Sequence, residues 1–178
     1  MQNVTGNIPF GPVDAVVVMG VCGCGKTSVG RRLAQLLGWP FLEGDEFHPP
    51  ENIAKMAAGI PLQDEDRWGW LDTIAARIGA ARRDGERIVV SCSALKHRYR
   101  DRLREGAPRV LFVHLHGDRE TILGRMSLRT GHYMPTSLLD SQLADLEQLQ
   151  PDEPGVVCDI GPAPEDIAAR VAPLITQA

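Results

Sequence analysis

The run Gly20-Val21-Cys22-Gly23-Cys24-Gly25-Lys26-Thr27 has the G-x-x-x-x-G-K-[ST] spacing of a phosphate-binding loop, and it restricts the fold more than any other part of the chain. Such a loop works only between a strand and a helix. Before it, residues 15–19 (Ala-Val-Val-Val-Met) form a continuous apolar run of the kind buried on both faces of a parallel sheet. After it, Val29, Leu33, Leu36 and Leu37 recur at helical spacing, and Gly38 is placed to end that helix. Glycines let backbone N–H groups wrap a phosphate chain, and the helix N-terminus adds partial positive charge. Lys26 is placed for the β- and γ-phosphates and the Thr27 hydroxyl for Mg²⁺, so Gly20 to Thr27 together with Ser28 are the expected nucleotide-binding residues.

The rest of the chain continues the alternation. Strands are expected at 40–43, 87–92, 109–115 and 155–159. Helices are expected at about 50–58, 64–83 with Asp64 as N-cap, 96–105, 118–129, 137–148 and a closing stretch around Ile167 and Val171. This predicts a three-layer α/β/α fold with a central parallel five-stranded sheet. Residues 1–12, polar and rich in Gly and Pro, read as a loose tail without the form of a signal peptide, and 13–178 as one domain.

Bulk properties exclude some functions. Nineteen Lys and Arg against 23 Asp and Glu give a net charge of −4, which offers no long-range attraction to nucleic acid. No apolar run approaches the roughly 20 residues of a bilayer span. A cytoplasmic location is the expectation. The four cysteines do not form a disulfide framework. Cys92 and Cys158 read as buried small hydrophobes. Cys22 and Cys24 are read as tolerated loop residues pointing away from phosphate, although Lys26 and the helix N-terminus would favour their thiolates.

In parallel sheets ligands bind at the carboxyl ends of the strands. The phosphate loop, Glu43-Gly44-Asp45, Ser91-Cys92-Ser93 and His116-Gly117-Asp118 all fall there. The Asn-Lys-x-Asp motif of GTP switches is missing, as is the strand-terminal Asp of motor and transporter ATPases. A small-molecule kinase is the class that fits. Glu43 is then a candidate to organise Mg²⁺ with Thr27, and Asp45 to orient or deprotonate an acceptor hydroxyl. Arg125 and Arg129, four apart on an expected helix, lead into Gly131-His132-Tyr133-Met134 and suggest a lid at about 125–136. A solvated basic helix face explains the two arginines equally well.

Residues 44–71 carry Gly44-Asp45, His48-Pro49, Asn52, Lys55-Met56, Gly59, Pro61-Leu62, Asp64, Asp66-Arg67 and Trp70-Leu71. This block resembles the gluconate kinases of the small phosphate-loop type, whose pattern is G-D-x-x-H-P-x-x-N-x-x-K-M-x-x-G-x-P-L-x-D-x-D-R-x-P-W-L. The likeness continues through Cys92-Ser93-Ala94-Leu95-Lys96, Tyr99-Arg100-Asp101 and Arg129-x-Gly131-His132-Tyr133-Met134. Two positions depart from the family. Cys22 and Cys24 replace the usual serines of the loop, and Gly69 replaces the proline before Trp70.

The resemblance implies a nucleoside-monophosphate-kinase-like fold, usually a homodimer, and transfer of the γ-phosphoryl of ATP, with Mg²⁺, to the 6-hydroxyl of D-gluconate. The acceptor region is expected at about 45–71. Arg67 is expected on the substrate carboxylate, since its guanidinium fork matches two oxygens. A surface ion pair with Asp64 or Glu65 is its alternative. Asp45, His48, Asn52, Lys55, Lys96, Arg100 and His132 are the further candidates for substrate or phosphate. Trp68, Trp70 and Met56 read as packing, because an open-chain polyol has no flat face to stack on. The helix at 137–148 and the loop at 151–154 are expected near the adenine. A kinase for shikimate or another sugar acid, or a nucleotide-binding regulator without catalysis, are the alternatives.

Overall fold

In the computed structural model, residues 4–9, 11–129 and 135–177 are described. Six strands form one sheet in the order β1-β6-β5-β2-β4-β3. They are β1 (Val4–Asn7), β2 (Ala15–Met19), β3 (Phe41–Glu43), β4 (Ile88–Ser91), β5 (Val110–His116) and β6 (Gly155–Asp159). All neighbours are parallel except β1, which runs antiparallel to β6 with Val4 opposite Cys158 and Asn7 opposite Gly155. The expected five parallel strands are therefore all present. The correction is a sixth, antiparallel edge strand inside the segment expected to be a loose tail. Its burial is slight, and only Val4 is not exposed. A strand held mainly by backbone pairing to a distant partner leaves little hydrophobic pattern to read.

Among the described residues seven α-helices accompany the strands: α1 (Lys26–Leu37), α2 (Pro50–Ala57), α3 (Asp64–Arg83), α4 (His97–Arg104), α5 (Arg119–Ser127), α6 (Thr136–Asp145) and α7 (Pro164–Thr176). Helix α1 packs against α7 and β4, and α3 against α4. Helix α3 shows why these segments are helical. Arg67, Trp70, Leu71, Ile74, Ile78 and Ala81 recur at three- and four-residue spacing and are all buried. Its N-cap is Gln63, one residue before the expected Asp64. The Gln63 N–H donates to Asp66 Oδ2 at 2.8 Å, and the acidic first turn complements the helix dipole. Gly69 lies inside that helix, where an added Cβ would meet nothing within 4 Å.

Every residue of β2 is fully buried between β4 and β5. After β2 the chain passes first to β3 and β4 on one side and later to β5 on the other. The loop leaving β2 therefore sits at the point where neighbouring connections diverge, the usual place for a ligand crevice in such sheets. Its first residue is anchored across the sheet end, the Gly20 N–H donating to the Ser93 carbonyl at 3.2 Å.

Candidate active site

A cavity of about 300 Å³ opens at the carboxyl end of β2. One wall is the phosphate loop. Gly20, Gly23 and Gly25 have φ of 142°, 78° and 99°, a region that residues with a Cβ rarely enter. Lys26 and Thr27 begin α1 and line the cavity. Lys26 Nζ folds back onto the Val21 carbonyl at 2.9 Å, the only hydrogen bond it makes among the described residues. Ser28 is exposed on the first turn of the helix.

Behind Thr27 stands a compact oxygen cluster. Thr27 Oγ1 donates to one oxygen of Glu43 at 2.5 Å, and Ser91 Oγ donates to the other at 2.5 Å. Glu43 thus joins the ends of β3 and β4 to the phosphate loop. Gly44 follows it because a Cβ there would stand 2.1 Å from the Ser91 carbonyl oxygen. A hydroxyl and a carboxylate beside a phosphate site suit Mg²⁺, which takes few protein oxygens and keeps phosphate and water for the rest. Among the described residues no group of three or more His, Cys, Asp or Glu could hold a metal by itself.

The predicted acceptor region lines the same cavity. Asp45, His48 and Arg67 line the cavity together with Met56, Leu62 and Ser93. Asp45 is largely exposed, whereas His48 is buried. The His48 ring stacks on Trp70 with centroids 4.0 Å apart, and Trp70 is held by donating to the Gly44 carbonyl at 2.7 Å. Trp70 is packing, as expected, and also the platform for a cavity residue. Burial pushes His48 down to about 4, so the ring is neutral at pH 7.

Arg67 is only 4% exposed, and its Nε has no hydrogen-bond partner among the described residues. Its guanidinium lies over the Tyr99 ring, 5.4 Å from the centroid. The alternative of a surface ion pair with Asp64 or Glu65 does not form. Asp64 accepts instead from Tyr99 and Lys96 and pairs with Arg98. An unpaired buried guanidinium is costly unless an anion completes it.

Other candidates are corrected. Arg100 is fully buried and cannot reach substrate. Its Nε and Nη2 grip Glu153 at 2.7 and 2.9 Å, and its Nη1 donates to the carbonyls of Ala94 and Leu95. Lys55 pairs with Asp66 at 2.7 Å and Lys96 with Asp64 at 3.1 Å, both outside the cavity lining. Asn52 lies behind His48 rather than in the cavity. The arginine pair is split. Helix α5 ends at Ser127, so Arg129 leaves the helix and lines the cavity, while Arg125 donates to the Ile160 carbonyl. His132, with residues 130–134 of the expected lid, lies outside the described residues. Asp118 caps α5, its Oδ1 accepting from the Thr121 N–H at 2.7 Å.

Helix α6 was expected near the adenine. Its Leu138, Ser141 and Gln142 line the cavity that the phosphate loop and Arg67 share. Gln142 Oε1 accepts from the Cys22 N–H at 2.7 Å, a tie to the phosphate loop that no local pattern signals. The thiols are not activated. Burial outweighs the nearby Lys26 charge and pushes Cys22 up to about 11, and it raises Cys24 as well.

The family model for shikimate kinase matches residues 22–151. The thermosensitive gluconokinase of Escherichia coli (strain K12) is 47% identical over 144 residues, 81% of this chain and 77% of that protein. A sugar kinase from Janibacter sp. HTCC2649 is structurally similar with a TM-score of 0.86 and 54% identity, over 90% of this chain and 92% of the other. A gluconokinase from Sinorhizobium meliloti 1021 gives a TM-score of 0.80 and 48% identity, over 92% and 97%.

Proposed function

The chain belongs to the gluconokinase family, of the shikimate-kinase-like type, and from that premise we propose that it transfers the γ-phosphoryl of ATP to the 6-hydroxyl of D-gluconate, giving 6-phospho-D-gluconate and ADP. The observation that carries the acceptor is Arg67. A buried guanidinium lining the cavity, with no partner among the described residues, calls for an anion, and gluconate is a polyol with one carboxylate.

In the reaction, Asp45 orients the 6-hydroxyl and accepts its proton as the new O–P bond forms. The bond from the γ-phosphorus to the bridging oxygen breaks, and ADP leaves with the electron pair. No phosphoenzyme is needed, because donor and acceptor bind opposite each other across one cavity. Lys26 moves from the Val21 carbonyl onto the phosphates, and Arg129 stabilises charge on the transferred group. Thr27 and Glu43 would hold Mg²⁺, which supplies charge neutralisation on the triphosphate. Arg125 joins Arg129 as a catalytic lid arginine in this reading, and His132 is a further candidate for binding substrate. The family resemblance adds a homodimer in the cytoplasm.

The test is ADP release with ATP, Mg²⁺ and D-gluconate, run beside shikimate, glucose and other sugar acids. Selective turnover of gluconate is expected. Nucleotide binding without gluconate turnover would reopen the acceptor.

A further inference from the structure

The polarity of the hydrogen bond between Asn52 and His48 can be read from a third atom. Asn52 is 2% exposed, and its Nδ2 lies 2.7 Å from the Asp66 carbonyl oxygen. A backbone carbonyl only accepts, so the amide nitrogen and not its oxygen must face Asp66. The same nitrogen stands 3.2 Å from His48 Nδ1 and has a second hydrogen to give. His48 Nδ1 is therefore the acceptor, and a neutral ring must carry its proton on Nε2.

That Nε2–H is aimed. Stacking on Trp70 at an interplanar angle of 18° fixes the ring plane. Nε2 faces Asp45 Oδ1 across 3.9 Å, too far for a direct hydrogen bond but bridgeable by an oxygen atom within reach of both. Both residues line the cavity. An oxygen in that gap would receive a proton donor from one side and meet a carboxylate acceptor on the other, which is the pairing a hydroxyl requires.

We propose that Asn52 is a positioning residue that holds His48 as the Nε2–H tautomer, so that His48 donates a hydrogen bond to a substrate hydroxyl oxygen and leaves proton acceptance to Asp45. The inference rests on the reading of this cavity as the gluconate site. It assigns two residues of one sequence block different work. His48 touches substrate, and Asn52 acts only through His48. It also excludes His48 as the general base, since a ring whose Nδ1 lone pair is occupied and whose Nε2 is protonated has none to offer the cavity.

The test is ¹⁵N NMR of histidine-labelled full-length protein, with steady-state kinetics of Asn52→Ala, His48→Gln and His48→Met. Wild type should show a protonated Nε2 and an unprotonated Nδ1 at His48. Asn52→Ala should lose that single tautomer and raise the gluconate KM about tenfold, the worth of one well-placed hydrogen bond, with the ATP KM unchanged. His48→Gln can present an amide N–H near the Nε2 position and should keep the gluconate KM within about threefold, whereas His48→Met should raise it about tenfold. A wild-type ring protonated on Nδ1 would overturn the proposal, as would equal gluconate KM values for His48→Gln and His48→Met. These readouts do not depend on the Asn52 variant folding. Failure of the wild type to phosphorylate gluconate would instead remove the functional reading, while the spectrum would still report the tautomer.

Discussion

Replacing Arg100 with Met should destabilise the fold by about 3–5 kcal/mol, because it strands a buried carboxylate. Arg100 and the Glu153 side chain are both fully buried and meet at 2.7 and 2.9 Å. Without the guanidinium, Glu153 retains the Gln150 N–H at 2.9 Å, with Arg104 and His97 no nearer than 3.8 Å. The carbonyls of Ala94 and Gln148 lose their Arg100 donors, and Leu95 keeps the Glu147 N–H. The stranded charge is the dominant cost, and each carbonyl adds at most about 1 kcal/mol. For a chain of this size the midpoint should fall by roughly 10–15 °C. Urea unfolding and calorimetry measure both quantities. The double variant Arg100→Met/Glu153→Leu should recover at least half of the loss, since an apolar pair carries no uncompensated charge. A single-variant loss below about 1 kcal/mol, or a double variant no better than the single, would refute the reasoning. Ala94 sharpens the test. Among the described residues it is the non-glycine residue with positive φ, at 45°, and Arg100 holds its carbonyl beside Ser93, which lines the cavity.

Arg67→Met should raise the gluconate KM by on the order of a hundredfold while leaving the melting midpoint unchanged or higher, because it removes an unpaired buried cation; a lower midpoint with an unchanged KM would place Arg67 in the scaffold. Lys26→Ala should lower kcat by on the order of a hundredfold or more with little change in stability, as the side chain makes one hydrogen bond to its own loop; near-normal turnover would sink the phosphate-loop assignment. Stability should decline as pH falls from about 6.5 to about 4. His48 and His114 are both held down to about 4, chiefly by burial, so the unfolded chain binds protons in that interval and the fold does not. His114 is fully buried in β5 with neither ring nitrogen partnered among the described residues, and His114→Leu should remove close to one proton from the slope of urea stability against pH. Cys22 should react slowly with a thiol reagent at neutral pH, since burial pushes it up to about 11; rapid reaction would show that the loop opens.

The features legible from residue order are those whose causes are local. The phosphate loop needs glycines, a lysine and a hydroxyl at set offsets between a strand and a helix, and all of these lie within a few residues of one another. The apolar run of β2 and the spacing in α3 mark their own burial in the same way. Asp45, His48 and Arg67 were legible as a group through a family pattern, and the fold brings all three to one cavity.

Tertiary structure decided what similar side chains do. Arg67 and Arg100 are both buried arginines, yet one lines the cavity with no partner among the described residues while the other is consumed by Glu153, which comes from a loop 53 residues away. Lys55 and Lys96 looked equally suited to substrate until α3 brought Asp66 and Asp64 within reach of them. Strand β1 exists because β6, about 150 positions later in the chain, offers it an edge. The tie from Gln142 to Cys22 spans 120 positions. Local hydrogen bonds and periodic burial are set by neighbours in the chain, so residue order carries them. A charge's partner and a strand's edge are set by distant segments, and only packing brings those together.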